Sequence, residues 1–353
     1  MTAYKKWLLA FFALFLAALL FLGGITAVID PYFHYHAPLE GLSYEIFYQR
    51  YQNDGIVKHF DYDALITGNS MTENFKTSEL DALFGTNSIK VPYSGASLKE
   101  LDMNVRAALE HNGDIRMVVM GLDYGSFIQD KDYMAYSDED YPDFLYDENP
   151  FNDVKYLFNK SILKTSLDVI SRTRAGLPTT GFDEYSAWPA DTVYGRDVTF
   201  AQYQRLWDSG EEHHLNDERM ALLTGNIAQN ILETAKANPQ VEFYYYFPPY
   251  SLLFWDKQDR GGVLELQLEA ERVVIEMLLQ QENIHLFSFL DDFELAADFS
   301  RFKDYIHHDP QVNSHILRCM AEGLHELTAD NYEDYCSRML EHYGTYDYDS
   351  LFE

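Results

Sequence analysis

An uncharged apolar run from Trp7 to Ile29 constrains the folding of this chain more than any other feature. At a rise of about 1.5 Å per residue, a helix of this length spans a bilayer core of about 30 Å. Lys5 and Lys6 precede the run and Asp30 follows it, which favours a cytoplasmic N-terminus. We therefore predict a transmembrane anchor over residues 1–29, a lipid bilayer as a partner, and a body outside the cytoplasm.

Two other interpretations of this run are left open. A cleaved secretory signal has a shorter apolar region, of about 7–15 residues, and a small-residue cleavage site. Gly23, Gly24 and Ala27 make a poor site of that kind, so an uncleaved anchor is favoured. A buried core helix would be unusual at an N-terminus directly behind two lysines.

The chain as a whole is strongly acidic. Asp and Glu number 57 against 26 Lys and Arg, which gives a net charge of −31. Such a chain repels phosphate groups, so we predict that nucleic acid is not a partner. The densest acidic stretch, from Asp123 to Asp153, is interpreted as solvated. It lacks the spacing of a calcium loop, which makes bound calcium the lesser alternative there.

The metal-binding residue types do not form a familiar motif. Cys319 and Cys336 lack the Cys-x-x-Cys spacing of a structural zinc site, so we predict no metal and no cofactor. Cys319 lies in an apolar helical pattern and is expected to be buried, while a disulfide to Cys336 is left open. His34 and His36 have no third ligand nearby, and an interfacial aromatic belt is the favoured interpretation of that segment.

Short apolar segments alternate with helical patterns beyond residue 60. A capping box from Ser97 to Glu100 begins one predicted helix, and further helical patterns cover residues 217–237 and 263–282. The alternation predicts an α/β fold with about five parallel strands and helices on both faces of the sheet. The predicted strands are Ala64–Thr67, Ser88–Val91, Met117–Met120, Val241–Phe247 and Ile284–Phe287.

These patterns also predict an organisation into segments. Residues 30–60 form a juxtamembrane segment, and residues 61–330 form the body. An acidic, aromatic and irregular insertion interrupts the body at about 127–215. Residues 331–353 form a C-terminal helix and a tail that frays from Tyr343 onward.

Polar residues that could carry chemistry follow the predicted strands, where active sites of parallel sheets form. Ser70 follows the first strand in Gly68-Asn69-Ser70, and such a serine is a nucleophile when a base reaches it. Asp304 and His307 are three residues apart, so the carboxylate can orient the imidazole. His308 comes next, and the preference for His307 rests on spacing. Each motif alone is common.

Together and in this order, the motifs resemble the SGNH, or GDSL-like, hydrolase superfamily, in its membrane-anchored extracytoplasmic bacterial form. The resemblance implies a flavodoxin-like three-layer sandwich and a catalytic set of Ser70, Asp304 and His307. Gly95, in Tyr93-Ser94-Gly95-Ala96-Ser97, matches the second block of the family. The backbone N–H groups of Ser70 and Gly95 would then form an oxyanion hole.

Asp123 departs from the family pattern, because an oxyanion-hole Asn is usual at its position. An ionised carboxylate repels an oxyanion. Asp123 would therefore be protonated, or serve structure, or leave the hole to Ser70 and Gly95 alone. Asn69, Tyr250 and Trp255 are candidate substrate contacts, with packing as the alternative for the two aromatic residues.

The layout also looks like bacterial proteins of teichoic-acid D-alanylation and polysaccharide O-acetylation. The resemblance implies a serine acyl esterase or acyltransferase acting on an envelope glycan or polymer, with a membrane-bound acyltransferase as a partner. One alternative is a non-catalytic binding or assembly factor for envelope polysaccharide that keeps the fold, which Asp123 favours. Another is an unrelated α/β membrane protein.

Overall fold

The computed structural model describes residues 2–136 and 141–353, so Asp138, Glu139 and Asp140 of the acidic stretch lie outside the described residues. The chain divides into two compact units, each built from two segments. The first unit comprises Met1–Phe60 and Tyr136–Gly181, and the second comprises Asp61–Ala135 and Phe182–Glu353.

The regular elements within the described residues are as follows. The strands are β1 (Ala64–Gly68), β2 (Ser88–Pro92), β3 (Met117–Gly121), β4 (Glu242–Phe247), β5 (Ile284–Ser288) and β6 (Glu326–Leu327). The α-helices are α1 (Ala3–Ile29), α2 (Gln49–His59), α3 (Thr77–Phe84), α4 (Leu98–His111), α5 (Val154–Leu157), α6 (Lys160–Arg174), α7 (Arg196–Gln202), α8 (Asp217–Ile227), α9 (Glu233–Ala237), α10 (Leu252–Arg260), α11 (Leu264–Leu278), α12 (Phe293–Ala297), α13 (Pro310–Glu322) and α14 (Tyr332–Thr345).

All the strands lie in one sheet of the second unit, in the order β2-β1-β3-β4-β5-β6. The first five pair in parallel, and β6 pairs antiparallel with β5. The five predicted strands are confirmed. The sequence missed β6, because two residues are too few to show a strand pattern. The second unit is thus α/β with a mostly parallel sheet.

Both faces of this sheet are buried, which explains the continuous apolar strand sequences. On one face, Ala64 and Ile66 of β1 pack in a cluster with Leu80 of α3 and Ile316 of α13. Leu65 alternates to the opposite face and is equally buried. A sheet covered on both sides leaves its strand ends as the exposed sites where loops present polar residues.

The predicted helices of the second unit are confirmed, with one local difference. Ser97 and Glu100 form the reciprocal capping box at the start of α4. Residues 217–237 are helical, but a π-helical segment over Ala228–Leu232 separates α8 from α9. Its wider turn was not visible in the apolar spacing.

In the first unit, α1 is long and apolar enough to cross a membrane by length and composition. Most of its side chains are exposed, including Leu14 at 73%, and Gly23 and Thr26 are buried. The helix packs against α5 and α6 of the same unit. At Gly23, a Cβ atom would lie 3.2 Å from the Phe158 ring, so glycine permits this close approach.

Asp30 ends α1 in a left-handed conformation and organises the segment that follows. Its buried carboxylate accepts hydrogen bonds from the backbone N–H groups of His34, Tyr35 and His36 at 2.7–3.0 Å. The Tyr156 hydroxyl donates to the same carboxylate at 2.6 Å. These bonds fold the chain into a compact loop directly after the helix.

The interfacial aromatic belt predicted for this segment is wrong for Tyr32 and Phe33. Both side chains are buried within the first unit. The Phe33 ring packs 5.3 Å from Tyr44 and 5.1 Å from Phe60, measured between centroids. The turn at Asp30 directs these rings inward, which the composition of the segment could not indicate.

The insertion predicted to be irregular contains regular helices. Its part from Tyr136 to Gly181 belongs to the first unit, and the parts before and after belong to the second. Asn159 caps α6 by accepting from the N–H groups of Ser161 and Ile162, and the buried positions of that helix are Ile162, Ser166 and Val169. That spacing places them on one helical face, but the polar residues between them obscured it.

The fraying predicted from Tyr343 onward is also wrong. Helix α14 continues to Thr345 and a 3₁₀ turn follows over Tyr348–Phe352. Tyr343 is fully buried, and its hydroxyl donates to the Leu290 carbonyl at 2.7 Å. The Tyr348 hydroxyl donates to the Tyr343 carbonyl at 2.9 Å, so aromatic anchors hold this acidic tail.

Candidate active site

The loops that follow β1 to β4 leave the same edge of the parallel sheet. The backbone N–H of Tyr93, after β2, donates to the Gly68 carbonyl at 2.8 Å. The Tyr250 hydroxyl, after β4, donates to the Asp123 carboxylate after β3 at 2.7 Å. These bonds tie neighbouring loops together, as the carboxyl edge of such a sheet requires.

Ser70 begins a 3₁₀ turn directly after β1. The Asn69 side chain caps this turn by accepting from the Met71 N–H at 2.9 Å. Gly68 has a φ of +140°, and a Cβ atom there would lie 2.5 Å from the Thr72 methyl group. Glycine is therefore required for the sharp exit from β1 that presents Ser70. The substrate contact predicted for Asn69 stays a prediction.

Ser70, His307 and Asp304 converge although they are far apart in sequence. The Ser70 Oγ atom lies 2.8 Å from His307 Nε2, and His307 Nδ1 lies 2.7 Å from Asp304 Oδ2. With its proton on Nδ1, the imidazole donates to Asp304 and accepts from the Ser70 hydroxyl. The His307 and Asp304 side chains are 23% and 19% exposed, so the serine–imidazole pair is open to solvent.

Asp304 is held as an anion that orients the imidazole. Its Oδ1 atom accepts from the N–H groups of Ile306 and His307, both at 2.8 Å. Burial raises the pKa of Asp304, but the hydrogen bonds and charge of His307 outweigh burial and bring the pKa below its usual range. An ionised Asp304 also stabilises a positively charged imidazole.

The loop over residues 301–309, here the His307 loop, is closed on itself. The Lys303 N–H donates to the His307 carbonyl at 3.0 Å, and the Asp309 N–H donates to the Arg301 carbonyl at 2.7 Å. The Ser251 hydroxyl donates to the Tyr305 carbonyl at 2.8 Å. These bonds fix the backbone that carries the Asp304 and His307 side chains.

His308 does not compete for the position of His307. It is 1% exposed and its Nδ1 atom lies 3.2 Å from the Asp309 carbonyl. Burial lowers the pKa of His308 to about 4, so its ring stays neutral near neutral pH. The spacing-based choice of His307 agrees with this geometry.

Two of the donors expected for an oxyanion hole, the backbone N–H groups of Ser70 and Gly95, are available. Among residues 2–136 and 141–353, the backbone N–H groups of Ser70 and Gly95 donate to no protein atom. Gly95 adopts a φ of +66° in the turn after β2, a conformation that favours glycine. This leaves both N–H groups able to bind a ligand oxygen, and the oxyanion role stays a prediction.

The Asp123 carboxylate is occupied by protein donors. Its Oδ1 atom accepts from the Gly125 N–H at 2.9 Å, which caps a 3₁₀ turn, and its Oδ2 atom accepts from Tyr250. The residue thus serves the structure of the loop after β3. It supplies no donor of the kind that the usual Asn would offer.

The substrate contacts predicted for Tyr250 and Trp255 do not agree with the structure. Tyr250 is 1% exposed and stacks on Phe254 with 4.1 Å between centroids. Trp255 is fully buried and stacks on Tyr343 at 3.9 Å. Trp255 lies on a buried face of α10, and Tyr250 lies in the short segment between β4 and that helix.

Sequence reasoning missed a group of residues beside the imidazole. The Trp188 ring packs edge-on to His307 at 5.3 Å, and the Lys303 ammonium lies 3.2 Å from the Trp188 ring centroid. Trp188 Nε1 donates to Glu73 at 2.6 Å, and its backbone N–H donates to Asn74 at 2.9 Å. Glu73 and Asn74 follow Ser70 closely, but nothing in the sequence linked Trp188 to them.

The arrangement can activate a hydroxyl nucleophile. A serine hydroxyl bonded to an imidazole, whose other nitrogen is bonded to a carboxylate, is the relay used for acyl transfer. Available backbone N–H groups beside the serine can stabilise the negative charge that develops on a carbonyl oxygen.

A comparison with solved structures shows a distant likeness. No family model matches the chain, and no curated protein matches it. A solved structure described as "a putative platelet activating factor from Streptococcus pneumonia" is similar at a TM-score of 0.37 and 12% identity. The match covers 77% of this chain and 90% of that one.

Proposed function

We propose that the protein is a membrane-anchored, extracytoplasmic serine acyl esterase or acyltransferase of the SGNH type, acting on a cell-envelope glycan or polymer. One observation carries the proposal: the continuous relay from Ser70 Oγ through His307 to Asp304, with links of 2.8 and 2.7 Å. These distances lie within the hydrogen-bond range that proton transfer to a general base requires.

The first half of the reaction forms an acyl-enzyme. Ser70 Oγ attacks the acyl carbonyl carbon while its proton passes to His307 Nε2. The resulting oxyanion accepts from the N–H groups of Ser70 and Gly95, and Asp304 stabilises the protonated imidazole. The ester C–O bond then breaks, and the leaving alkoxide takes the proton from His307.

The second half returns the enzyme to its starting state. A water molecule or an acceptor hydroxyl gives its proton to His307 and attacks the acyl carbon on Ser70. The Ser70 Oγ–acyl bond then breaks and Ser70 Oγ takes the proton back from His307, which yields a free acid with water or a new ester with an acceptor alcohol. The open position of the imidazole, with its side chain 23% exposed, suits a large acceptor such as a polymer.

The fold and the N-terminal helix support the finer parts of the proposal. The order β2-β1-β3-β4-β5 is that of flavodoxin-like sheets, to which β6 adds an antiparallel edge. Helix α1 supports a membrane anchor, and Lys5 and Lys6 support a cytoplasmic N-terminus. A membrane-bound acyltransferase that supplies acyl groups is the partner we propose.

Labelling with a fluorophosphonate probe tests the nucleophile. The full chain in detergent should be labelled at Ser70, as located by mass spectrometry. Ser70→Ala should lose the label and change the free energy of unfolding by less than about 0.5 kcal/mol, because a turn serine contributes little to packing. Ser300→Ala is the matched control, since Ser300 is an exposed turn serine bonded to Asp298, and it should keep the label.

The test separates the enzyme from the non-catalytic alternative. A folded wild-type chain that resists labelling, while Ser70→Ala has the same stability, would contradict the enzyme proposal. If that unlabelled chain still binds envelope polysaccharide, the result would favour the non-catalytic binding factor. The structural role of Asp123 supports the same alternative.

A further inference from the structure

A second group of chemically reactive side chains lies outside the Ser70 relay. His315 and Cys319 are four residues apart on α13, so both occupy one face of that helix. His325 follows the end of the same helix. One nitrogen of each imidazole and the Cys319 sulfur all lie within 4.8 Å of one another.

The end of α13 explains why His325 returns to this face. Gly323 takes a left-handed conformation, and the Leu324 N–H donates back to the Cys319 carbonyl at 2.9 Å. His325 itself has a φ of +63°, which is unusual for a residue with a side chain. Its carbonyl accepts from the Ser288 N–H at 3.0 Å, which fixes this backbone beside the end of β5.

The spacing of His315 and Cys319 suits a metal ion. Cys319 Sγ lies 3.4 Å from His315 Nε2. Zinc binds imidazole nitrogen at about 2.0–2.1 Å and thiolate sulfur at about 2.3 Å, so tetrahedral ligand atoms are roughly 3–4 Å apart. Cys319 is 2% exposed, and the His325 side chain is 29% exposed, so the cluster has a buried sulfur and an open side.

Acidic groups surround the cluster. The His325 Nδ1 atom lies 3.7 Å from Asp291 Oδ1, which leaves Nε2 for a metal ion. A carboxylate behind a ligating imidazole is the usual support in zinc sites. Asp292 acts electrostatically on both histidines and on Cys319, and Glu322 acts on Cys319, while Arg318 opposes them at His315 and Cys319 and Arg301 opposes them at His315. Asp291 is itself paired with Arg338 at 2.8 Å, so the local charges are mixed and the ligand types carry the preference for a cation.

We propose that His315, Cys319 and His325 form a binding site for a zinc-type divalent cation, with Asp291 as a positioning residue. Two imidazoles and one thiolate match the ligand preference of Zn²⁺ and leave one coordination position for water or another ligand. The ion would tie α13 to the turn after it, where the His325 carbonyl is bonded to the end of β5. The proposal is independent of the Ser70 chemistry and departs from the prediction that the chain binds no metal.

Cobalt substitution tests the site directly. The full chain, prepared without a polyhistidine tag and stripped with chelator, should bind about one Co²⁺. It should show tetrahedral visible bands and a thiolate-to-metal charge-transfer band, both lost when Zn²⁺ displaces cobalt. Cys319→Ser should lose the charge-transfer band, whereas the matched control Cys336→Ser should keep it, because Cys336 lies on α14, outside the cluster.

Two further variants keep the test decisive if Cys319→Ser does not fold. His325→Ala changes an exposed residue and should abolish stoichiometric binding. Asp291→Asn should weaken Zn²⁺ binding about 10–100-fold. Its matched control is Asp334→Asn, because Asp334 also pairs with Arg338 but does not contact His325.

The proposal is overturned by either of two results. The first is a folded wild-type chain that shows no saturable binding of Co²⁺ or Zn²⁺. The second is binding that persists unchanged in both Cys319→Ser and His325→Ala, which would assign the ion to other residues.

Discussion

Two regions of the second unit each hold a carboxylic acid, and they shift its pKa in opposite directions. In the His307 loop, the Asp304 side chain is 19% exposed and bonded to an imidazole. In the other region, here the Glu271 cluster, Glu271 on α11 is 2% exposed and accepts from the hydroxyls of Tyr124 and Tyr335. Ser288 completes this cluster through a 2.7 Å hydrogen bond with Tyr335.

The two environments move the pKa in opposite directions. Burial tends to raise the pKa of both acids, but at Asp304 the His307 imidazole and two N–H groups reverse the effect. Burial raises the pKa of Glu271 to about 7, and its two tyrosine hydroxyls only partly oppose burial. Neutral donors therefore do not keep a fully buried acid ionised, whereas a partner that carries charge does.

His308 extends the comparison, because it is a buried base within the His307 loop. Burial lowers its pKa to about 4. Glu271 and His308 therefore exchange protons over overlapping pH ranges with opposite consequences for stability. Single substitutions at the two residues should therefore reveal contributions of opposite sign to the pH dependence of stability.

The largest expected effect concerns the charge on Asp304. Asp304→Asn keeps the shape of the side chain but removes the charge that fixes the imidazole tautomer. We expect kcat for hydrolysis of p-nitrophenyl acetate to fall by about 10,000-fold. The matched control is Asp298→Asn, because Asp298 caps a turn near the same loop and does not touch His307. Equal losses in both variants would show that loop structure, rather than the charge, matters.

The next effect concerns Glu271. Its pKa in the folded state, about 7, lies above its ordinary value of 4.5. Its contribution to stability is therefore fully present below pH 4.5 and is lost as pH rises through about 7. Relative to Glu271→Gln, the wild type should lose up to about 3 kcal/mol in the free energy of unfolding across this range. Urea titrations at several pH values measure the difference, and parallel curves would contradict it.

The smallest effect concerns His308, with the opposite sign. Its folded pKa of about 4 lies below its ordinary value of 6.5, so its contribution is present above pH 6.5 and lost as pH falls through about 4. His308→Asn keeps a donor for the Asp309 carbonyl but cannot titrate. Relative to this variant, the wild type should lose about 2 kcal/mol in the free energy of unfolding in acid, less than the full pKa difference would give, because the His307 loop can open before global unfolding. Activity near neutral pH should remain.

Local sequence patterns were sufficient for some parts of the fold and of the candidate site. The five parallel strands, the cap at Ser97 and the burial of Cys319 depend on neighbouring residues and were predicted correctly. The pair Asp304 and His307 could also be found, because residues three apart meet in one turn. The apolar run of α1 is a further local signal.

Contacts between distant segments decided the rest. The spacing of sequence motifs could not show that Tyr250 points to Asp123, that Trp188 packs on His307, or that Glu271 joins Tyr124 and Tyr335. Such contacts also overturned two expectations based on composition. The turn at Asp30 buries aromatic residues that were expected at the membrane interface, and aromatic anchors order a C-terminal tail that was expected to fray.

What the sequence by itself determined is the set of elements, because hydrophobic periodicity, caps and glycines act over a few residues. What only the tertiary structure decided is which polar side chains are exposed to water and which form hydrogen bonds with each other. That outcome depends on burial and on partners contributed by remote segments, and these lower the pKa of Asp304 and His308 but raise the pKa of Glu271.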